Sequence, residues 1–309
     1  MNKRNIIIMF ITILVFYNLS TFGMERGITT TYQIFFSEIT KGSGQDLGTR
    51  YFLYDLNKQV KKEVRSKHIK NVYNGLPQVS LDGKFIAFFD NENEKTFLKL
   101  IDIDNNREVL SKEVPTYSGM LFMSNDKNYF AFCSNTDRWK STTKEVYIYD
   151  VKMDSIKQIT QNNMYDYNPI ISPTNDSLVY LQMKDTQKTI LKRYYFENGL
   201  TEDLKTFDDS GFKLFQWLDN DQLLLTRKEN SGTPFLLDLK TGETTNLALD
   251  KIYDIKISPD RKMILYLQAP AYEDPTWSLY VSDLAGSNIY KIPQEEKVDI
   301  MAPQWVIKD

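Results

Sequence analysis

The 309-residue chain contains one cysteine, Cys133, and one histidine, His68. A single cysteine excludes an intramolecular disulfide and a cysteine-based zinc site. A single histidine removes chemistry that needs two imidazoles and argues against a Ser-His-Asp hydrolase. Basic residues show no excess: Lys+Arg number 38 against Asp+Glu 41, for a net charge of −3. That balance argues against a nucleic-acid partner. No Gly-x-Ser-x-Gly elbow occurs anywhere, so the nucleophile turn of an α/β-hydrolase is missing.

Long hydrophobic runs are also scarce. The longest extends from Ile6 to Tyr17, with Thr12 as its one polar break, behind the positive pair Lys3 and Arg4. Twelve helical residues reach about 18 Å, short of the roughly 30 Å of bilayer hydrocarbon. The length and flanks are those of a signal peptide over residues 1–23, with Thr21 and Gly23 at the −3 and −1 places of a cleavage site. Cleavage there removes Lys3 and Arg4 and takes the charge from −3 to −5. The expected location is periplasmic or secreted. The alternative is a chain anchored in the membrane by an uncleaved N-terminal helix, the one membrane contact expected. Export permits disulfides, yet the chain has a lone thiol. Cys133 alternates with Phe130 and Phe132, the setting of an inert strand thiol.

What the chain has in abundance is a repeat. Its clearest copy is Pro77-Gln-Val-Ser80-Leu-Asp82-Gly83-Lys84, running into Phe85-Ile-Ala-Phe88. A strand enters, Asp-Gly reverses it, and an apolar strand leaves. Ser124-Asn-Asp126, Ser172-Pro173, Leu218-Asp219, Ser258-Pro-Asp260 and Trp305-Val306 mark related copies. Anchors at 80, 124, 172, 218, 258 and 306 are spaced by 44, 48, 46, 40 and 48 residues. Short strands at a period near 45 predict propeller blades. A later strand in each unit ends in aspartate, at Asp55, Asp102, Asp150, Asp238 and Asp283, except in the fourth unit, which has Tyr194-Tyr-Phe196. Each unit then holds four strands. The N-terminal segment supplies a second, third and fourth strand, and the C-terminus supplies a first (Ala302 to Val306). The reading is an all-β, six-bladed β-propeller over residues 24–309, its ring closed by pairing the C-terminal strand with the N-terminal blade, which removes two sheet edges.

The motifs Pro-x-x-Ser-x-Asp-Gly-Lys at 77–84, Pro-x-x-Ser-Pro at 169–173 and Ser-Pro-Asp at 258–260 resemble the TolB-type propeller repeat, as does Tyr165-Asp-Tyr-Asn-Pro169 ahead of its strand. The resemblance covers about residues 30–309, without the α/β domain that precedes the propeller in TolB. It implies a periplasmic scaffold with a partner like a peptidoglycan-associated lipoprotein.

Residues recurring once per blade read as structural, because aspartate at a strand end accepts N–H groups of the following turn. Asp102-Ile-Asp104-Asn-Asn106 lacks the glycine and distal glutamate of an EF-hand loop. Oligogalacturonate lyases, also propellers, hold their metal with a histidine cluster that one histidine cannot form. No metal and no cofactor are expected. The loops leading into the innermost strands are more informative. Seven residues before the anchors at 80, 124 and 172 stand Tyr73, Tyr117 and Tyr165; the same loops carry Asn74, Asp166 and Tyr167, and later blades add Tyr253, Asp254 and Asp299. These residues either rim one mouth of a central channel as a binding surface, for which tyrosine is well suited, or pack between blades. The functional expectation is a non-catalytic binding or scaffold module for an envelope protein or peptide. The alternative is a polysaccharide lyase or a glycoside or peptide hydrolase using carboxylates at the channel mouth, with no catalytic residue assignable.

Overall fold

The computed structural model describes residues 31–40, 49–69, 76–116, 118–135, 143–162, 164–185, 188–227, 232–268, 277–295 and 298–308. The expected signal segment lies outside them. Strands β1 (Thr31–Thr40), β2 (Thr49–Asp55) and β3 (Val60–Val64) come first. A second sheet holds β4 (Gln78–Val79), β5 (Phe85–Glu92), β6 (Lys95–Asp102) and β7 (Arg107–Val114). A third holds β8 (Ser118–Met123), β9 (Tyr129–Asn135), β10 (Lys144–Asp150) and β11 (Ser155–Gln158). The fourth is β12 (Tyr165–Ile171), β13 (Ser177–Asp185), β14 (Lys188–Tyr195) and β15 (Thr201–Phe207). The fifth is β16 (Phe212–Trp217), β17 (Gln222–Arg227), β18 (Pro234–Asp238) and β19 (Thr244–Asn246). The sixth is β20 (Ile252–Ile257), β21 (Met263–Gln268), β22 (Ser278–Asp283) and β23 (Tyr290–Lys291). The last strand, β24 (Val298–Lys308), returns to β1 and completes the first sheet in the order β24-β1-β2-β3. The third and fourth sheets touch through one parallel bridge, Lys144 opposite Tyr165.

Alternation within strands builds the core between neighbouring sheets. In β1, Phe35 packs with Ile86 and Phe88 of the second sheet, while Ile34 and Phe36 pack with Leu265 and Leu279 of the sixth. The first sheet is therefore gripped from both sides. Side chains of the innermost strands add polar stitches. The Gln304 carboxamide accepts the Val79 N–H at 2.9 Å and donates to the Pro77 carbonyl at 2.7 Å. Gln216 makes the same two-way clip to Ile257, at 2.8 and 3.0 Å. Indole N–H groups reach back to the preceding sheet, Trp217 to the Ile170 carbonyl at 3.3 Å and Trp305 to the Lys256 carbonyl at 3.0 Å.

The repeated polar residues close turns. Ser124 Oγ donates to Asp126 Oδ1 at 2.7 Å and accepts the Tyr129 N–H at 3.0 Å. Ser258 does the same with Asp260 at 2.6 Å and Met263 at 3.0 Å. Ser80 donates to Asp82 and accepts the Phe85 N–H at 2.9 Å. Burial works against ionisation of Asp82 and Asp126, but these serine and backbone bonds outweigh it and hold both carboxyls below the usual range. The five strand-end aspartates cap the next turn. Asp150, for example, accepts the Lys152 and Met153 N–H groups at 2.9 and 3.0 Å. In the fourth sheet, which lacks that aspartate, Asn198 Oδ1 accepts the Leu200 N–H at 2.9 Å and Gly199 takes φ +70°.

Candidate functional site

A cavity of about 640 Å³ opens where the innermost strands of the second to sixth sheets converge. Its walls follow from local breaks in pairing. The ladder skips residues between Gly119 and Phe122 in β8, between Tyr167 and Ile170 in β12, between Leu214 and Gln216 in β16, and between Ile252 and Asp254 in β20. Every skipped residue lines the cavity: Met120, Leu121, Asn168, Pro169, Phe215 and Tyr253. A bulge frees a residue from the ladder and re-aims its side chain. Met120 and Asn168 reach this geometry with left-handed backbones, φ +54° and +52°. Asparagine tolerates that region, whereas for methionine it costs roughly 1–2 kcal/mol.

Charge in the cavity is one-sided. Among its described lining residues, three lysines, Lys144, Lys213 and Lys256, face one carboxylate, Asp254. The Lys213 ammonium sits 3.9 Å from the Tyr253 ring centroid, a cation–π distance, and Tyr253 packs on Trp277 with centroids 4.4 Å apart. Lys256 Nζ donates to the Phe215 carbonyl at 2.9 Å and lies 3.8 Å from Asp254. Lys144 lies 5.3 Å from the Tyr165 ring centroid. Burial pushes the Asp254 carboxyl above its ordinary range, and Lys256 and Lys213 pull it partly back. Asn135, on the same wall, has a buried Oδ1 with no hydrogen-bond partner among the described residues.

Of the residues singled out in the sequence, Tyr253 and Asp254 line this cavity together. Tyr165 is half-buried, its ring 5.3 Å from that of Tyr167. Tyr167 is buried in the core shared by the third, fourth and fifth sheets. Asp166 is fully buried and accepts Gln182 Nε2 at 2.8 Å and Asn162 Nδ2 at 2.9 Å. Burial raises its carboxyl pKa, and those amides oppose the shift. Asp299 accepts the Trp277 N–H at 3.0 Å. Asp166, Tyr167 and Asp299 are not among the cavity-lining residues. Tyr73, Asn74 and Tyr117 lie outside the described residues. The three lysines, Asn135 and Asn168 were not singled out. For Lys213, Lys256 and Asn168 the signal is a register: on the five innermost strands the lining residues fall two to five positions before each anchor, whereas Asn135 and Lys144 come from β9 and β10. Cys133 is buried in strand β9, and burial lifts its thiol to about 12, outside the range of a reactive thiolate.

The architecture matches solved structures. TolB from Acinetobacter baumannii superposes with a TM-score of 0.67 at 17% identity, over 88% of this chain and 66% of that one. The Nidogen/Laminin complex gives 0.62 at 10% identity, over 89% and 98%. Oligogalacturonate lyase in complex with manganese gives 0.56 at 17%, over 80% and 71%. The chain is a β-propeller. Its blades are the six sheets, and its ring closes through β24. No sequence family and no curated protein matches the chain. At these identities the likeness establishes the propeller fold alone, and the propeller spans just under two thirds, 66%, of that TolB.

Proposed function

We propose that this propeller is an exported, non-catalytic binding module that takes a segment of a cell-envelope protein or peptide into its central cavity. The observation that carries the reading is the bulged lining. Four inner strands give up ladder pairing so that their freed side chains line one shared space. Its volume of about 640 Å³ falls within the ~300–1,000 Å³ of sites that take small ligands, so it suits a short segment. The TolB-like repeat and the signal-like residues 1–23 support an envelope setting, with a peptidoglycan-associated lipoprotein-like partner as the model of what such a segment belongs to. A carboxylate-pair enzyme fits the lining less well. A retaining glycosidase sets two carboxyls about 5–5.5 Å apart, and among the described lining residues Asp254 is the one carboxylate.

Cross-linking affinity capture from envelope extract tests the reading, using residues 24–309 beside a Lys213→Gln/Tyr253→Ala variant with an unchanged melting profile. The expected result is one envelope polypeptide enriched by the parent protein and reduced tenfold or more by the variant. Turnover of a glycan or peptide by the purified protein, or no enrichment by the parent, overturns it.

A further inference from the structure

We propose that the cavity is a carboxylate-recognition site whose ligand is an acidic stretch of polypeptide. This rests on the reading of the cavity as the binding site and names the chemistry of what it takes. The chain as a whole is acidic, at −3, yet among the described residues three ammonium groups and one carboxylate meet in this concave wall. A concave site lined by one sign of charge focuses its field and draws in ligands of the opposite sign. Two of the ammonium groups are held in place before any ligand arrives. Lys213 rests over the Tyr253 ring at 3.9 Å, and Lys256 is tied to the Phe215 carbonyl at 2.9 Å. Such preorganisation lowers the ordering cost of binding an anion.

The remaining wall favours a polypeptide over a glycan. The buried Oδ1 of Asn135, without a partner among the described residues, is an acceptor that a backbone N–H would satisfy. Gln78 and Asn168 add amides that match peptide groups, and Met120, Phe122 and Phe215 offer apolar surface to intervening side chains. Two of these residues, Met120 and Asn168, stand on left-handed backbones at the bulges, and bulges are over-represented beside active sites.

Isothermal titration calorimetry with N-acetylated hexaglutamate tests this directly, with hexaglutamine and hexagalacturonate as the other arms. Hexaglutamate is expected to bind, and hexaglutamine to bind at least tenfold more weakly. Lys144→Gln and Lys213→Gln are each expected to weaken hexaglutamate binding by about fivefold or more. Lys58→Gln, an exposed lysine on the turn after β2, leaves it unchanged. Raising salt from 50 to 500 mM is expected to weaken binding further, because partly open charge contacts are screened. Equal binding of hexaglutamate and hexaglutamine overturns the proposal, as does equal binding by the cavity and control variants. Binding of hexagalacturonate without hexaglutamate overturns it in favour of an acidic glycan. If hexaglutamate fails while envelope capture still returns a cavity-dependent polypeptide, the acidic-ligand inference falls and the binding-module reading stands. If hexaglutamate binds through the lysines while no envelope polypeptide is captured, the inference stands and that reading falls.

Discussion

A chain ending at Glu295 is expected to show no cooperative thermal transition. That truncation removes β24, and β24 touches three blades. It pairs with β1 in the first blade. It clips to the second blade through Gln304, and Ile307 N–H donates to the Leu81 carbonyl at 2.7 Å. It reaches the sixth blade through the Trp305 indole, 3.0 Å from the Lys256 carbonyl. Val298, Ile300, Trp305 and Val306 are all buried. At about 1.5–3 kcal/mol for each large apolar side chain, their loss takes away an amount similar to the roughly 5–15 kcal/mol by which whole domains are stable. It also bares the edge of β1 and the faces of Tyr32 and Val79. Circular dichroism melts of the truncated and full-length chains make the comparison. A synthetic peptide of residues 298–308 added in trans is expected to restore part of the transition. A truncated chain that melts cooperatively within a few degrees of full length contradicts this account of ring closure.

Gly232→Ala is expected to be the most damaging glycine substitution among the described positions. Gly232 has φ +65° in the loop between β17 and β18, and a Cβ there would lie 2.1 Å from the backbone oxygen of Ile252. Ile252 opens β20, the inner strand of the next blade, and is held by its pairing with Gln268. The obstacle is backbone fixed in a ladder, so it cannot rotate aside. The left-handed backbone costs alanine about 1–2 kcal/mol, and forced overpacking adds roughly 1–3 kcal/mol. Together these lower Tm by roughly 5–15 °C in a domain of this size. Gly242→Ala separates the two costs. Its φ is +73°, but the nearest atom to a Cβ is the side-chain Lys205 Nζ at 4.0 Å, an ordinary van der Waals distance. It carries the backbone cost alone, about 2–5 °C. Scanning calorimetry that finds the two variants equally stable contradicts the close approach of the fifth and sixth blades at Gly232.

The fold was legible because its signals are local. Ser80-Leu-Asp82-Gly83 closes its turn with its own atoms, and the same chemistry recurs at Ser124 and Ser258. Counting these anchors gave the blades, and the unmatched strands at the two ends gave the closure by β24. The site was only half legible. Counting seven residues back from an anchor selects Tyr165, which packs against Tyr167, whereas the innermost strands line the cavity with residues two to five back. The displacement comes from the bulges. Asn168-Pro169 advertises one, since asparagine accepts a left-handed backbone and proline donates no ladder bond. Gly119-Met120 and Leu214-Phe215 carry no comparable mark. Lys213 and Lys256 read singly as solvated strand lysines. They share a cavity because two strands some 40 residues apart, β16 and β20, stand side by side at the centre of the ring.

Site-specific photo-cross-linking in intact cells is the most direct test that the cavity, and not the outer wall of the propeller, is where the partner binds. A benzophenone amino acid replaces Tyr253, exposed on the cavity, or Leu200, which is 64% exposed in the turn between β14 and β15. The expected result is a single covalent adduct with an envelope polypeptide from position 253, diminished by Lys213→Gln, and none from position 200. Adducts from position 200 with none from position 253 would contradict a binding site in the cavity.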